Sequence, residues 1–153
     1  MSYKYLQLLS LVLLVSFNAE ARVERKKVFG DWLVSCKLKS ATDEKGDCFL
    51  GAQYEDEMGG GAIIFTKYYL AFSHNELLLT DGVVFKIDSY DAIESSMNTG
   101  ISSFFKNIDR KALSVQMIKG KTLAIDITNQ TKTQVSLIGY KEAYDYYLAH
   151  INN

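Results

Sequence analysis

The 153-residue sequence contains no proline, so it offers no rigid linker of the kind that spaces two subdomains. It is also poor in the residues that carry most hydrolytic and metal chemistry. Histidine occurs only at His74 and His150, too few and too far apart in sequence to anchor a metal centre or serve a serine nucleophile. Cysteine occurs only at Cys36 and Cys48, and tryptophan only at Trp32. Charge is nearly balanced, with 17 Lys and Arg against 18 Asp and Glu, which gives no electrostatic reason to expect nucleic acid or an anionic membrane as partner. A bilayer-spanning run of about 20 apolar residues is missing as well.

What is present begins with a short, mostly apolar stretch from Leu6 to Phe17, preceded by Lys4 and closed by Asn18 and Ala19-Glu20-Ala21. This is the three-part grammar of a cleavable secretory signal peptide, with small residues where signal peptidase cuts, and the polar run Arg22 to Lys27 begins too early for a membrane helix. Residues 1–21 are therefore expected to be removed. Residues 22–153 then form a single domain with no membrane span, of a size that buries one core. Export would deliver Cys36 and Cys48 to an oxidising compartment, where a disulfide is the simplest assignment. Such a bridge closes a loop of about 13 residues and contributes roughly 3 kcal/mol. A metal site or a catalytic thiol is the rival reading, and neither has a partner motif.

From Val28 to about Ser89, short β-branched and aromatic stretches alternate with turn-forming residues. Val28 to Cys36 reads as one strand with apolar members on both faces, Lys37 to Asp47 as a hairpin loop and Cys48 to Tyr54 as the return strand. Glu55 to Gly61 reads as an exposed acidic and glycine-rich turn. Ala62 to Ser73, Glu76 to Leu79 and Val83 to Asp88 continue the β pattern, and the Ser/Asn/Thr/Gly-rich stretch Ser95 to Ser103 interrupts it. Asp109 then caps a helix of about ten residues, with Ala112, Leu113, Val115, Met117 and Ile118 apolar and Gly120 as its stop. Lys121 to Thr128 and Thr133 to Ile138 form a hairpin, and Tyr140, Ala143, Tyr144, Tyr147, Leu148 and Ile151 mark a C-terminal amphipathic helix. The chain reads as mainly β, with one short helix before the last hairpin and one at the C-terminus.

Searches for chemistry return little. Gly120-Lys121-Thr122 imitates the end of a phosphate loop, but Val115 stands where that loop needs glycine. Gly59-Gly60-Gly61 lacks dinucleotide spacing, and no Gly-x-Ser-x-Gly elbow occurs. Glu55, Asp56 and Glu57, or Asp88, Asp91 and Glu94, lack the ligand order of a helix-loop-helix calcium site and read as solvated acidic turns. Asn129-Gln130-Thr131 has the form of a glycosylation acceptor. No catalytic residue, metal site or cofactor is expected.

Four segments read together carry more. They are Phe29-Gly30-Asp31-Trp32 with Cys36; Cys48 leading to Gln53; Thr80-Asp81-Gly82-Val83 leading to Ile87-Asp88; and Gly100, the helix, Gly120-Lys121, two strands and Leu137-Ile138-Gly139-Tyr140 with Ala143. In this order and spacing the chain, from roughly Val28 to Leu148, resembles the invasion-associated locus B family of exported proteins from Gram-negative bacteria. The resemblance implies an immunoglobulin-like β-sandwich with short helices, a periplasmic, envelope-associated or secreted location, and, from the founding member, a part in host-cell entry. It brings no catalytic residues. The chain departs from the family in having Ser96 and Ile101 where a second cysteine pair stands, Thr80-Asp81 before Gly82, and Tyr140 after Gly139.

Independently of the family, Trp32 offers the largest apolar area outside the leader and is expected at the core centre. Gly30, Gly82, Gly100, Gly120 and Gly139 are expected at strand and helix ends, as structural turn residues. Two functional classes follow. One is a non-enzymatic module that binds another protein or a host or envelope surface component. The other is a small-ligand binder or enzyme with a cleft beside the C-terminal helix, rimmed by Tyr140 and Tyr144. Oligomeric state is left open.

Overall fold

A computed structural model describes residues 22–152, so the expected signal peptide, Met1 to Ala21, lies outside the described residues. The elements are β1 Val23–Phe29, β2 Trp32–Leu38, β3 Asp47–Tyr54, β4 Gly61–Phe65, β5 Leu70–His74, β6 Val83–Ile87, β7 Ile93–Glu94, β8 Met97–Asn98, β9 Ser102–Phe105, α1 Asn107–Lys119, β10 Thr122–Ile127, β11 Thr131–Ser136 and α2 Tyr140–His150. A seven-stranded antiparallel sheet runs β1-β2-β3-β4-β5-β9-β8, and a four-stranded sheet runs β11-β10-β6-β7. Together they make the mainly β, sandwich-like architecture with two helices that the sequence and the resemblance led us to expect.

One face of the large sheet builds the core. Trp32, Val34, Cys36 and Leu38 alternate along β2, and across the register they meet Cys48, Leu50, Ala52, Ile63, Phe65 and Phe72. Phe72 meets Phe85 of the small sheet edge to face at 5.8 Å, and Trp32 meets Tyr140 of α2 at 4.8 Å. Both the small sheet and the C-terminal helix therefore cover the same face. No described helix is long and apolar enough to span a bilayer.

The disulfide joins Cys36 to Cys48, which are register partners on β2 and β3. Just before β3, Gly46 exchanges backbone bonds with the end of the chain, donating to His150 (2.9 Å) and accepting from Asn152 (3.0 Å). The covalently closed hairpin thus latches the end of α2.

Several boundaries differ from expectation. Val28 to Cys36 is not one strand: Gly30, at φ +58°, starts a two-residue turn between Phe29 and Trp32. The strand before it, β1, was read as a polar run because its residues are Glu24, Arg25, Lys26 and Lys27; these charges suit an open sheet edge. The opposite edge, β8, is only two residues long. Ala62 to Ser73 is two strands around a turn, Glu76 to Leu79 contributes only a bridge from Leu79 to Gly100, and the supposed break at Ser95 to Ser103 contains β8 and the start of β9.

Asp109 is not a cap. Helix α1 starts two residues earlier, after Lys106, with no side-chain cap, and Asp109 lies in its first turn. Of the apolar residues expected on its buried side, Leu113 and Met117 are buried, whereas Ala112 and Val115 face solvent. Gly120 ends the helix with φ −84°, so it is not a left-handed stop; a side chain there would run into Ile87.

Candidate functional site

Two of the segments that carry the resemblance, Phe29 to Trp32 and Leu137 to Tyr140, form a structural joint. The β1–β2 turn and the β11–α2 junction approach each other so closely that a Cβ on Gly139 would collide with the carbonyl of Phe29, and one on Gly30 with that of Ile138. Asp31 donates its N–H to Ile138 O at 3.4 Å, and the Trp32 indole N–H donates to Ser136 O at 3.0 Å. Trp32, Phe65 and Tyr140 then close a three-ring cluster. Phe29-Gly30-Asp31-Trp32 and Leu137-Ile138-Gly139-Tyr140, more than a hundred residues apart, are thus two halves of one packing unit.

Tyr140 therefore cannot rim a cleft. It is fully buried, and burial raises its hydroxyl well above the usual tyrosine range. Tyr147 is pushed up to about 12, again chiefly by burial. Tyr144 is half-buried and stacks on Tyr140 at 5.7 Å, as part of the helix's packed stripe. Gly82 and Gly100 lie in turns at positive φ, and Gly100 has open space around its Cα.

The acidic turn after β3 is not wholly solvated. The Asp56 carboxylate is 8% exposed and accepts bonds from Met58 N (2.8 Å), Gly60 N (3.1 Å) and the buried ring of His74 (3.2 Å). On the other side of that ring, Nδ1 accepts the N–H groups of Glu76 and Leu77, each at 3.1 Å, which leaves Nε2 as the donor to Asp56. Burial raises the Asp56 pKa, but the bonds from Gly60, Met58 and His74 outweigh it, and the net displacement is downward. Both imidazole nitrogens are thus committed to holding two turns together. Asp88 is similarly employed, its carboxylate capping the N–H groups of Lys121 and Thr122. Among the described residues, no group of three or more His, Cys, Asp or Glu converges as metal ligands would.

The feature the sequence reading missed lies on the other face of the large sheet. Strand pairing places Val28, Leu33, Gly51, Ile64, Ala71, Phe104 and Met97 side by side in one row, one residue from each of the seven strands of the large sheet. At the usual strand spacing of about 4.8 Å such a row is roughly 29 Å long. Its ends are open, with Val28 67% and Met97 55% exposed. Phe49 and Tyr69 extend it on one side, Tyr69 meeting Phe104 edge to face. Neither helix covers this face. A groove of about 580 Å³ opens on it, with Leu33, Gly51, Ala62 and Ile64 along the floor and Gln134, Val135 and Ser136 of β11 along one wall. The signal in the sequence was the apolar character of both alternating sets in Val28 to Cys36; what could not be read was that five other strands align their outward apolar residue in register. Scans against protein-family models, curated proteins and solved structures return no match to this chain.

Proposed function

We propose that this chain is an exported, non-enzymatic module of a Gram-negative envelope or its surroundings, related to the invasion-associated locus B proteins, that acts by binding another macromolecule and contributes to entry into host cells. The carrying observation is the apolar row across all seven strands of the large sheet on a face that neither described helix covers. The row is exposed at Val28 and Met97, half-buried at Leu33, Ile64 and Phe104 and closed at Gly51 and Ala71, and apolar side chains left partly open to solvent in this way mark interaction sites. The buried Cys36–Cys48 bridge is consistent with an oxidising compartment. The resemblance supplies the host-entry element. A ligand-binding cleft beside the C-terminal helix loses support, because Tyr140, its proposed rim, is inside the core.

The test has two arms. Material from the producing bacterium should be found outside the cytoplasm, begin at Arg22 and contain no free thiol by mass analysis. A strain lacking the protein should enter cultured host cells less well, and the wild-type gene should restore entry while a folded Ile64→Asp variant does not. Cytoplasmic material with an intact Met1 would remove the export reading, and undiminished entry without the protein would remove the host-entry reading.

A further inference from the structure

We infer that the groove beside β11 takes an extended peptide segment of a partner protein, which pairs as an added strand with the open edge of β11 and lays alternate apolar side chains on the sheet. The inference rests on the interaction reading above and specifies the chemistry of the partner. Strand β11 is the outermost strand of the small sheet, with β10 on one side only. Leu137 donates to Lys121 O across the β10–β11 pair, and antiparallel alternation then gives Val135 and Thr133 to β10. The N–H and C=O of Lys132 and Gln134 consequently point away from β10. On that same side the Ser136 carbonyl is already taken by the Trp32 indole, which fixes the edge in place.

The floor beside this edge supplies the pockets that give an added strand its specificity. Leu33, Ala62 and Ile64 present half-buried apolar surface, and Gly51 between them adds no side chain above the sheet. Among the described residues, the charged side chains lining the groove are the exposed carboxylates Asp31 and Glu55, while the Lys132 ammonium on the same edge is paired with Asp126 at 2.8 Å. A segment with alternate apolar residues and basic residues flanking them matches all three elements: main-chain edge, apolar floor and acidic rim.

The probe is a fluorescent peptide, Arg-Val-Ser-Val-Ser-Val-Arg, titrated against the purified exported protein by anisotropy. Binding should weaken at least tenfold when both arginines become glutamates, or when the probe's edge-facing amides are N-methylated. Gln134→Pro, which removes an outward N–H and no bond to β10, should weaken binding to a similar degree, whereas Gln134→Ala should not. Amide shifts on binding should centre on Leu33, Ile64 and Gln134. Equal binding of the glutamate peptide, indifference to N-methylation, or absence of any binding would overturn the inference. So would concentration-dependent dimerisation that protects the groove, because a second copy would then be the occupant. If the peptide fails while the Ile64→Asp strain still shows its entry defect, strand addition falls and the interaction reading stands; if both fail, both fall.

Discussion

At the scale of single residues, two side chains carry more than their neighbours. Trp32 is fully buried, bonded to Ser136 O and packed between Phe65 and Tyr140. Trp32→Ala should cost about 3 to 5 kcal/mol in urea unfolding, as truncation of buried aromatics does. Trp32→Phe should cost less, yet still register the lost bond to Ser136 O. Asp56 is the second. Its folded pKa lies below the ordinary aspartate value, so its contribution is present in full above that ordinary value and is lost as pH falls through the lowered one. The urea midpoint of the wild type should therefore drop below about pH 4 more steeply than that of Asp56→Asn. At neutral pH, Asp56→Ala should cost about 1 to 3 kcal/mol by leaving the buried His74 ring and the Gly60 N–H without their acceptor. A pH profile identical for wild type and Asp56→Asn would show that the carboxylate is not what holds the turn.

At the scale of elements, the Cys36–Cys48 hairpin does two jobs, closing its own loop and holding the end of α2 through Gly46. Replacing both cysteines with serine should cost about 3 kcal/mol, and amide exchange at Ile151 and Asn152 should accelerate before that of the central strands. Exchange that rises uniformly would mean the latch is independent of the bridge. These elements were unevenly legible in the sequence. The bridge was readable from the two cysteines and the lack of any rival partner motif, and the β10–β11 hairpin and helix α2 because strict alternation and a three-and-four repeat each admit one periodic structure. Strand β1 was not, because its consecutive charges erase alternation, and an edge strand tolerates that. Helix α1 was placed but its cap was missed: Asp109 has the right chemistry for a cap, yet the chain turns helical two residues earlier, beside the Arg110 bond to Thr66 O. The candidate site was least legible, since a row perpendicular to the strands exists only once the six registers of the large sheet are known together. No window along the chain contains it.

At the scale of the whole molecule, the proposed function gives the two faces of the large sheet different duties, and substitutions should separate them. Changing the exposed row ends, in Val28→Lys and Met97→Lys, should shift stability by no more than about 0.5 kcal/mol while reducing partner binding. Changing inward residues of the same strands, such as Val34→Ala, should cost stability and leave binding per folded molecule unchanged. A stability loss from the row ends comparable to the core's would assign the row to folding instead. The boundaries of the sheet bear on the same division. An uncovered apolar sheet invites stacking and sideways growth into fibrils, and growth of that kind begins at unpaired strand edges. Here one margin carries Arg25, Lys26 and Lys27 and the other is two residues long, so neither templates an incoming chain. The apolar side of the large sheet can accordingly stay open at high protein concentration, with sideways growth of that sheet limited by its margins rather than by a cover.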